Sequence, residues 1–196
     1  MRKRIFIAIN LKEKIKNDLS ENQKEIDQKF SYISDFSPIK WTKKENLHCT
    51  LLFIGEIDDM ELLDIFRITE NAVENVESFD LQITDMSYGP NSDNPKMVWC
   101  NLEKTKELTG LQTCIERAIL NNGYNAETDK KFTPHITLGR INQWQFKQID
   151  LEERPDINKS LGYGFSVKSI EIMESFLKKG GAEYCILKSI PFESDN

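Results

Sequence analysis

Apolar residues in this chain recur with two periods, one residue in two and three or four residues apart, so strands and helices are both predicted along it. Arg4 to Ile9 (RIFIAI) reads as a short strand, and Leu11, Ile15, Leu19, Ile26 and Phe30 then mark one face of a polar helix. After the turn signal Ser37-Pro38, a short strand is predicted around Lys40 and Trp41, then a longer one over Asn46 to Ile54 (NLHCTLLFI) that Gly55 closes. Asp58 and Asp59 cap a second helix, with Leu62, Leu63, Phe66, Val73 and Val76 as its apolar stripe. Phe79 to Tyr88 alternates as a strand, and the loop from Gly89 to Pro95 turns it into a hairpin with Met97 to Leu102. A third helix runs from about Thr105 to Asn121 through Leu108, Leu111, Ile115 and Ile119, and stops at Asn122-Gly123.

Pro134 to Ile141 is a further strand segment, and the polar stretch between Ile141 and Leu161 is expected to be a long loop. Two last strands, Phe165 to Phe176 and Glu183 to Ile190, would be joined as a hairpin by Lys178 to Gly181. Strand-helix alternation with inserted hairpins favours a mixed α+β fold over a doubly wound parallel sheet, and no phosphate-loop or dinucleotide glycine pattern occurs.

At 196 residues, with 39% hydrophobic and 30% charged residues, the chain is long enough for one domain with a sizeable core. No apolar run approaches the roughly 18 to 20 residues that span a bilayer, and the start MRKRIFIAIN enters a strand with no cleavage-site pattern, so a cytoplasmic protein without a membrane partner is expected. The formal net charge of −6 argues against a broad nucleic-acid-coating surface, so any such ligand must be gripped at few phosphates. Cys49, Cys100, Cys114 and Cys185 have neither metal nor disulfide spacing and read as buried thiols.

The chain's two histidines stand in near-identical tetrapeptides, His48-Cys49-Thr50-Leu51 and His135-Ile136-Thr137-Leu138. On a strand, positions i and i+2 share a face, so each tetrapeptide presents an imidazole and a hydroxyl together while its other residues face the core. A lone histidine on a half-buried strand is more often a satisfied structural residue; two in matching frames reverse that balance. Two such patches could flank one small polar ligand and suit displacement at phosphorus, where one group takes a proton from water as another gives one to the departing alkoxide. Thr50 and Thr137 could donate to the non-bridging oxygens, and Arg140 could meet their charge. Arg140 has the wrong strand parity for this, so Gly139 is expected to let the chain turn.

Neither histidine has a second histidine or a carboxylate at ligand spacing, so no metal site is expected. Cys49 beside His48 should point into the core and is a poor nucleophile candidate. Trp41, Phe53 and Tyr88 could stack a nucleobase, but packing roles are expected of all three.

The two H-x-T-L motifs, the start RIFIAINL, the segment WTKKENLHCTLLFIGE and the segment KFTPHITLGR, with its arginine five residues after the histidine, resemble the 2H phosphoesterase superfamily. Within it they are most similar to the RNA 2′,3′-cyclic phosphodiesterases, also called the 2′-5′ RNA ligase or LigT-like family. The resemblance covers most of the chain and is weakest between Gln143 and Gly162; Cys49 departs from the aliphatic residue more usual there. It implies an α+β fold over residues 1–196: a single domain of two lobes, with two pseudo-symmetric antiparallel sheets, helices on the outer faces and a central cleft. It also implies metal-independent, cofactor-free hydrolysis of an RNA terminal 2′,3′-cyclic phosphate to a 2′-phosphomonoester, and in some relatives reversible 2′-5′ ligation of tRNA halves. Carried over by position, His48 would be the proton donor and His135 the acceptor, with Thr50, Thr137 and Arg140 binding substrate. RNA ends or nucleotides with a cyclic phosphate are the expected partners, and a monomer the expected state. Alternatives are another small cyclic or 2′-5′ linked nucleotide as substrate, or a non-catalytic nucleotide-binding module.

Overall fold

The computed structural model describes residues 2–127, 131–178 and 181–193, with the side chains of residues 177 and 178 left aside. In chain order the elements are strand β1 (Lys3–Asn10), helix α1 (Glu13–Ser31), β2 (Ile39–Trp41), β3 (His48–Ile57), α2 (Asp59–Val73), β4 (Phe79–Gly89), β5 (Met97–Leu102), α3 (Lys106–Asn121), β6 (His135–Ile141), the single turn α4 (Gln143–Phe146), β7 (Lys159–Val167), β8 (Ser169–Lys178) and β9 (Gly181–Pro191). The α+β class read from the periodicities is the class observed.

The strands form one curled antiparallel sheet in the order β7-β4-β5-β6-β3-β1-β8-β9, with β2 added beside β6. That order is symmetric about its middle: β6 matches β3, β5 matches β1, β4 matches β8 and β7 matches β9. The two halves meet at the pair Cys49↔Ile136. This is the pseudo-two-fold arrangement that the family resemblance implies, with the halves hydrogen-bonded to one another at their centre.

Burial follows the faces of this sheet. Ile5, Ile7 and Ile9 of β1 join the large core that also takes Leu19, Ile26 and Phe30 of α1, Ile65 of α2 and Leu111, Ile115 and Ile119 of α3. Phe6 and Ala8, pointing the other way, form a separate small cluster with Met173 and the partly buried Tyr184. The helices therefore cover one face and leave the other as a cleft, and β1, central in its half, is buried on both sides. Asp58 caps α2 with a full capping box: its side chain accepts from the Met60 and Glu61 amides while Glu61 accepts from the Asp58 amide. Among the described residues no helix is long and apolar enough to cross a membrane.

The molecule departs from the periodicity at four places. The run Phe165 to Phe176 is two strands, not one: β7 pairs with β4 at one edge and β8 with β1 in the other half, with Lys168 alone between them. Its apolar alternation slips by one residue at Lys168-Ser169, between Val167 and Ile170, and no glycine or proline marks the break. The loop expected before Leu161 ends early, because β7 starts at Lys159 as an edge strand whose Lys159, Ser160 and Gly162 are exposed, a pattern that reads as loop. On α2 the buried stripe is Leu62, Ile65, Ile68, Thr69 and Val73, and Leu63 is exposed. Cys49 and Cys100 are buried, but Cys114 on a helix surface and Cys185 on the edge strand β9 are exposed. The β8-β9 hairpin is as expected, and its turn at 179 and 180 lies outside the described residues.

Candidate active site

The register at the middle of the sheet brings the two tetrapeptides together. Cys49 and Ile136 are paired and fully buried on the core side. Antiparallel continuation of that register sets His48 across from Thr137 and Thr50 across from His135, all four on the cleft face. The repeat in the sequence is thus one four-residue patch about the local two-fold axis.

Both imidazoles are held in the same way. His48 Nδ1 donates to the Asn46 carbonyl at 2.7 Å, and His135 Nδ1 donates to the Thr133 carbonyl at 2.8 Å, each two residues upstream. A carbonyl can only accept, so each neutral ring carries its hydrogen on Nδ1 and presents Nε2 as a lone pair. At His48 that lone pair accepts from the Thr50 hydroxyl at 3.0 Å. Asn46 is itself fixed, buried, with its Nδ2 donating to the Ala182 carbonyl of β9 at 2.8 Å. The neighbouring Glu45 carbonyl accepts from the buried Lys16 ammonium at 3.2 Å.

The rings differ in what surrounds them. His48 lies 5.0 Å from Phe6 and 5.1 Å, edge-on, from Tyr184. Burial pushes its pKa down to about 4 from the ordinary 6.5; the Asn46 carbonyl opposes this, and the positive charges of Lys16 and of protonated His135 add to it. His135 stacks on the Trp99 indole at 3.9 Å and 25°, and burial lowers its pKa against the raising effect of the Thr133 carbonyl. Gly89 makes room for that indole, since a Cβ there would come within 2.5 Å of it. Asn101, paired with His135 across the strands, donates to Asp85 at 2.6 Å and Ser87 at 2.9 Å, extending a polar row along the cleft. Asn46, Lys16, Trp99 and Tyr184 had no signal in the sequence, because their relation to the histidines runs through strand register and a backbone carbonyl.

Arg140 reaches the cleft by a different route from the one expected. Between Val98↔Gly139 and Trp99↔Thr137 the pairing with β5 shifts by one residue, a β-bulge at Leu138 that resets the alternation. Leu138 and Gly139 are therefore both buried, and Arg140 points out beside the patch. It stands near Tyr184, whose pKa burial raises and the guanidinium lowers. Gly139 makes no turn and has no positive φ. Its role is closeness: a Cβ would stand 2.5 Å from Ile39 Cγ2 and 3.0 Å from the Trp41 ring, on the strand β2 that lies against it.

The same bulge occurs in the other half. Pairing of β1 with β3 shifts between Ile7↔Leu52 and Ala8↔Thr50, leaving Leu51 as the extra residue, so Phe53 returns to the cleft face as the counterpart of Arg140. Phe53 is 44% exposed, against the packing role expected of it. Trp41 and Tyr88 do pack: Trp41 Nε1 donates to Asp27 at 2.8 Å, and the Tyr88 hydroxyl to the Pro155 carbonyl at 3.1 Å.

The patch can accept one proton at each Nε2 and donate hydroxyl and guanidinium hydrogen bonds to an anion between them. Cys49 cannot attack anything in the cleft, since it faces the core and burial pushes its thiol up to about 12. Among the described residues no three or more His, Cys, Asp and Glu side chains gather into a group able to hold a metal ion.

Comparison with known proteins gives one family and one fold. A family profile described as the 2′-5′ RNA ligase superfamily matches residues 19–175. The RNA 2′,3′-cyclic phosphodiesterase of Thermotoga maritima is 29% identical over 97% of this chain and 96% of its own length. That of Methanocaldococcus jannaschii is 27% identical over 94% and 98%. Among solved structures, TT0787 of Thermus thermophilus superposes with a TM-score of 0.81 at 23% identity, covering 98% of this chain and 100% of that one. E. coli LigT complexed with 3′-AMP gives 0.72 at 19%, covering 98% and 99%.

Proposed function

This chain belongs to the 2′-5′ RNA ligase superfamily, and on that footing we propose that it hydrolyses the terminal 2′,3′-cyclic phosphate of RNA to a 2′-phosphomonoester. The observation that carries the proposal is the matched pair of imidazoles, each tied by Nδ1 to a carbonyl two residues upstream and each with Nε2 left for the cleft. A module that only bound nucleotides would have no need of two matched proton-transfer groups.

In the proposed reaction the cyclic phosphate lies over the His-Thr patch, between the two lobes of a single domain. Nε2 of His135 takes a proton from water, the water oxygen bonds to phosphorus, and the bond from phosphorus to O3′ breaks. Nε2 of His48, protonated beforehand, delivers its proton to O3′. The negative phosphate between the rings raises both of their pKa values, offsetting the burial that lowers them in the free protein. The Thr50 hydroxyl follows the state of His48. It donates to Nε2 while the ring is neutral, and it is released to a non-bridging oxygen when Nε2 holds its own proton. Thr137 serves another oxygen, and Arg140 meets the charge that accumulates on them. All proton transfers are thus assigned to side chains, and neither a metal nor a cofactor is part of the scheme. With a 5′-hydroxyl in place of water, the same groups in the same roles form a P–O5′ bond as the P–O3′ bond breaks, giving a 2′-5′ linkage; run backwards, they exchange roles and cleave it to the cyclic phosphate.

The test is product analysis on a short RNA ending in a 2′,3′-cyclic phosphate. The expected product is the 2′-phosphate; a 3′-phosphate would reverse the assigned leaving oxygen, and an unreacted end would refute the function.

A further inference from the structure

Two features of Trp99 work against stability. Its buried Nε1–H meets no acceptor among the described residues, and a donor buried without a partner is destabilising. Position 89 must also be glycine to admit the ring, since a Cβ there would stand 2.5 Å from Cδ2 and Cε3 of the indole. A smaller apolar side chain at position 99 would avoid both, so the indole is placed for something that only its ring supplies.

What it supplies is a face against His135. The ring centroids are 3.9 Å apart and the planes 25° from parallel. Two neutral aromatic rings avoid such an overlay because their negative faces repel, and they settle offset or edge-on with centroids roughly 4.5 to 7 Å apart. A cation within about 6 Å of an indole face is attracted to it, and tryptophan is the strongest of the aromatic residues in this respect. The stack is therefore mismatched to a neutral imidazole and matched to an imidazolium. His48 has no overlaid ring: Phe6 lies 5.0 Å away at 37°, and Tyr184 5.1 Å away at 89°. The other titratable or charged side chains placed around His135 are His48 of β3, Asp85 of β4 bound to Asn101, Arg140 of β6, and Lys104 and Lys131 at the segment entering β6. Among the described residues none of them is hydrogen-bonded to the ring, whose Nδ1 donates to the Thr133 carbonyl.

We propose that Trp99 is a positioning residue for the base: its face holds the His135 ring and stabilises the imidazolium that forms when Nε2 takes the proton from water. The inference rests on the phosphodiesterase reading above, in which His135 gains positive charge as the water oxygen bonds to phosphorus. The two tetrapeptides are alike, so a difference between their histidines must come from what lies against each ring. An indole face on one side only favours that ring as the proton acceptor.

The experiment uses fluorinated tryptophan, fed to a tryptophan auxotroph, which withdraws π density with little change in size. The chain has three tryptophans, and among the described residues neither Trp41 nor Trp144 lies against a histidine ring. An imidazole NMR titration reports both histidines, and His48→Gln assigns them. The midpoint of the His135 titration should fall with each added fluorine, by about 0.3 of a pH unit for two, while that of His48 stays fixed. The acidic limb of kcat/KM on adenosine 2′,3′-cyclic phosphate, set by a base that must be neutral in the free protein, should move to lower pH with it. Trp99→Leu should lower the plateau rate about threefold or more, and Trp99→Phe, which keeps a smaller face, should retain more of it; thermal unfolding checks that both are folded. A His135 midpoint that ignores fluorination, one that moves together with His48, or equal rates in the two variants overturns the proposal. The titration needs no substrate. If the protein hydrolyses no cyclic phosphate, the phosphodiesterase reading fails by itself and the titration decides on Trp99: a falling His135 midpoint supports the stabilised imidazolium, and a fixed one refutes it.

Discussion

Replacing His48 by glutamine is expected to make the protein less sensitive to acid, and the size of the effect follows from the site. Burial holds the folded-state pKa of His48 at about 4, whereas the unfolded chain has the ordinary 6.5. Between those two values the unfolded chain binds a proton that the folded chain refuses, so stability falls as pH falls through this window, and the loss is complete below about pH 4. The gap from 6.5 to about 4, at about 1.4 kcal/mol per pH unit, comes to about 3.5 kcal/mol in full, of which about 3 kcal/mol is lost by pH 4. Other titrating groups also lose stability over this range, but they are common to both proteins and cancel in the difference. Urea unfolding of wild type and His48→Gln at pH 7 and pH 4 gives that difference directly. Glutamine alters the bond to the Asn46 carbonyl, but that offset does not depend on pH. Wild type should lose up to about 3 kcal/mol more than the variant; parallel losses, within about 0.5 kcal/mol, would refute the claim that His48 is held neutral by burial.

His135→Ala and His48→Ala should each lower the rate of cyclic phosphate hydrolysis by about 10²-fold or more, the usual contribution of one general acid or base, while a chelator leaves the wild-type rate unchanged. Steady-state kinetics with and without chelator checks both statements. Gly139→Ala should cost about 1–3 kcal/mol through overpacking against Ile39 and Trp41, read by denaturant unfolding, and should raise KM by displacing the strand that carries Arg140.

Much of the fold could be read along the chain. The stripe Leu108, Leu111, Ile115 and Ile119 delimited α3, and Thr105 is its cap, because helix period and capping chemistry are local. The same local logic failed at Lys168, where a one-residue slip in the alternation without glycine or proline carries the chain from one edge of the sheet to the other half, and at β7, whose exposed polar positions resemble a loop until β4 is beside them. It failed at Leu63 because several registers of α2 present an apolar face and only the sheet beneath selects one.

The site divides in the same way. That His48 and His135 share a frame with Thr50 and Thr137 was legible in the order of residues, since period two on a strand follows from backbone geometry alone. Parity also showed there that Arg140 needs a local irregularity to join them. What that irregularity is came from long-range pairing: a bulge at Leu138, defined against β5 and repeated at Leu51 against β1. The same cross-strand register set the two motifs on one axis at Cys49↔Ile136, stacked Trp99 on His135 and exposed Phe53 opposite Arg140. A bulge and a register are properties of two strands together, so no pattern within one strand could contain them.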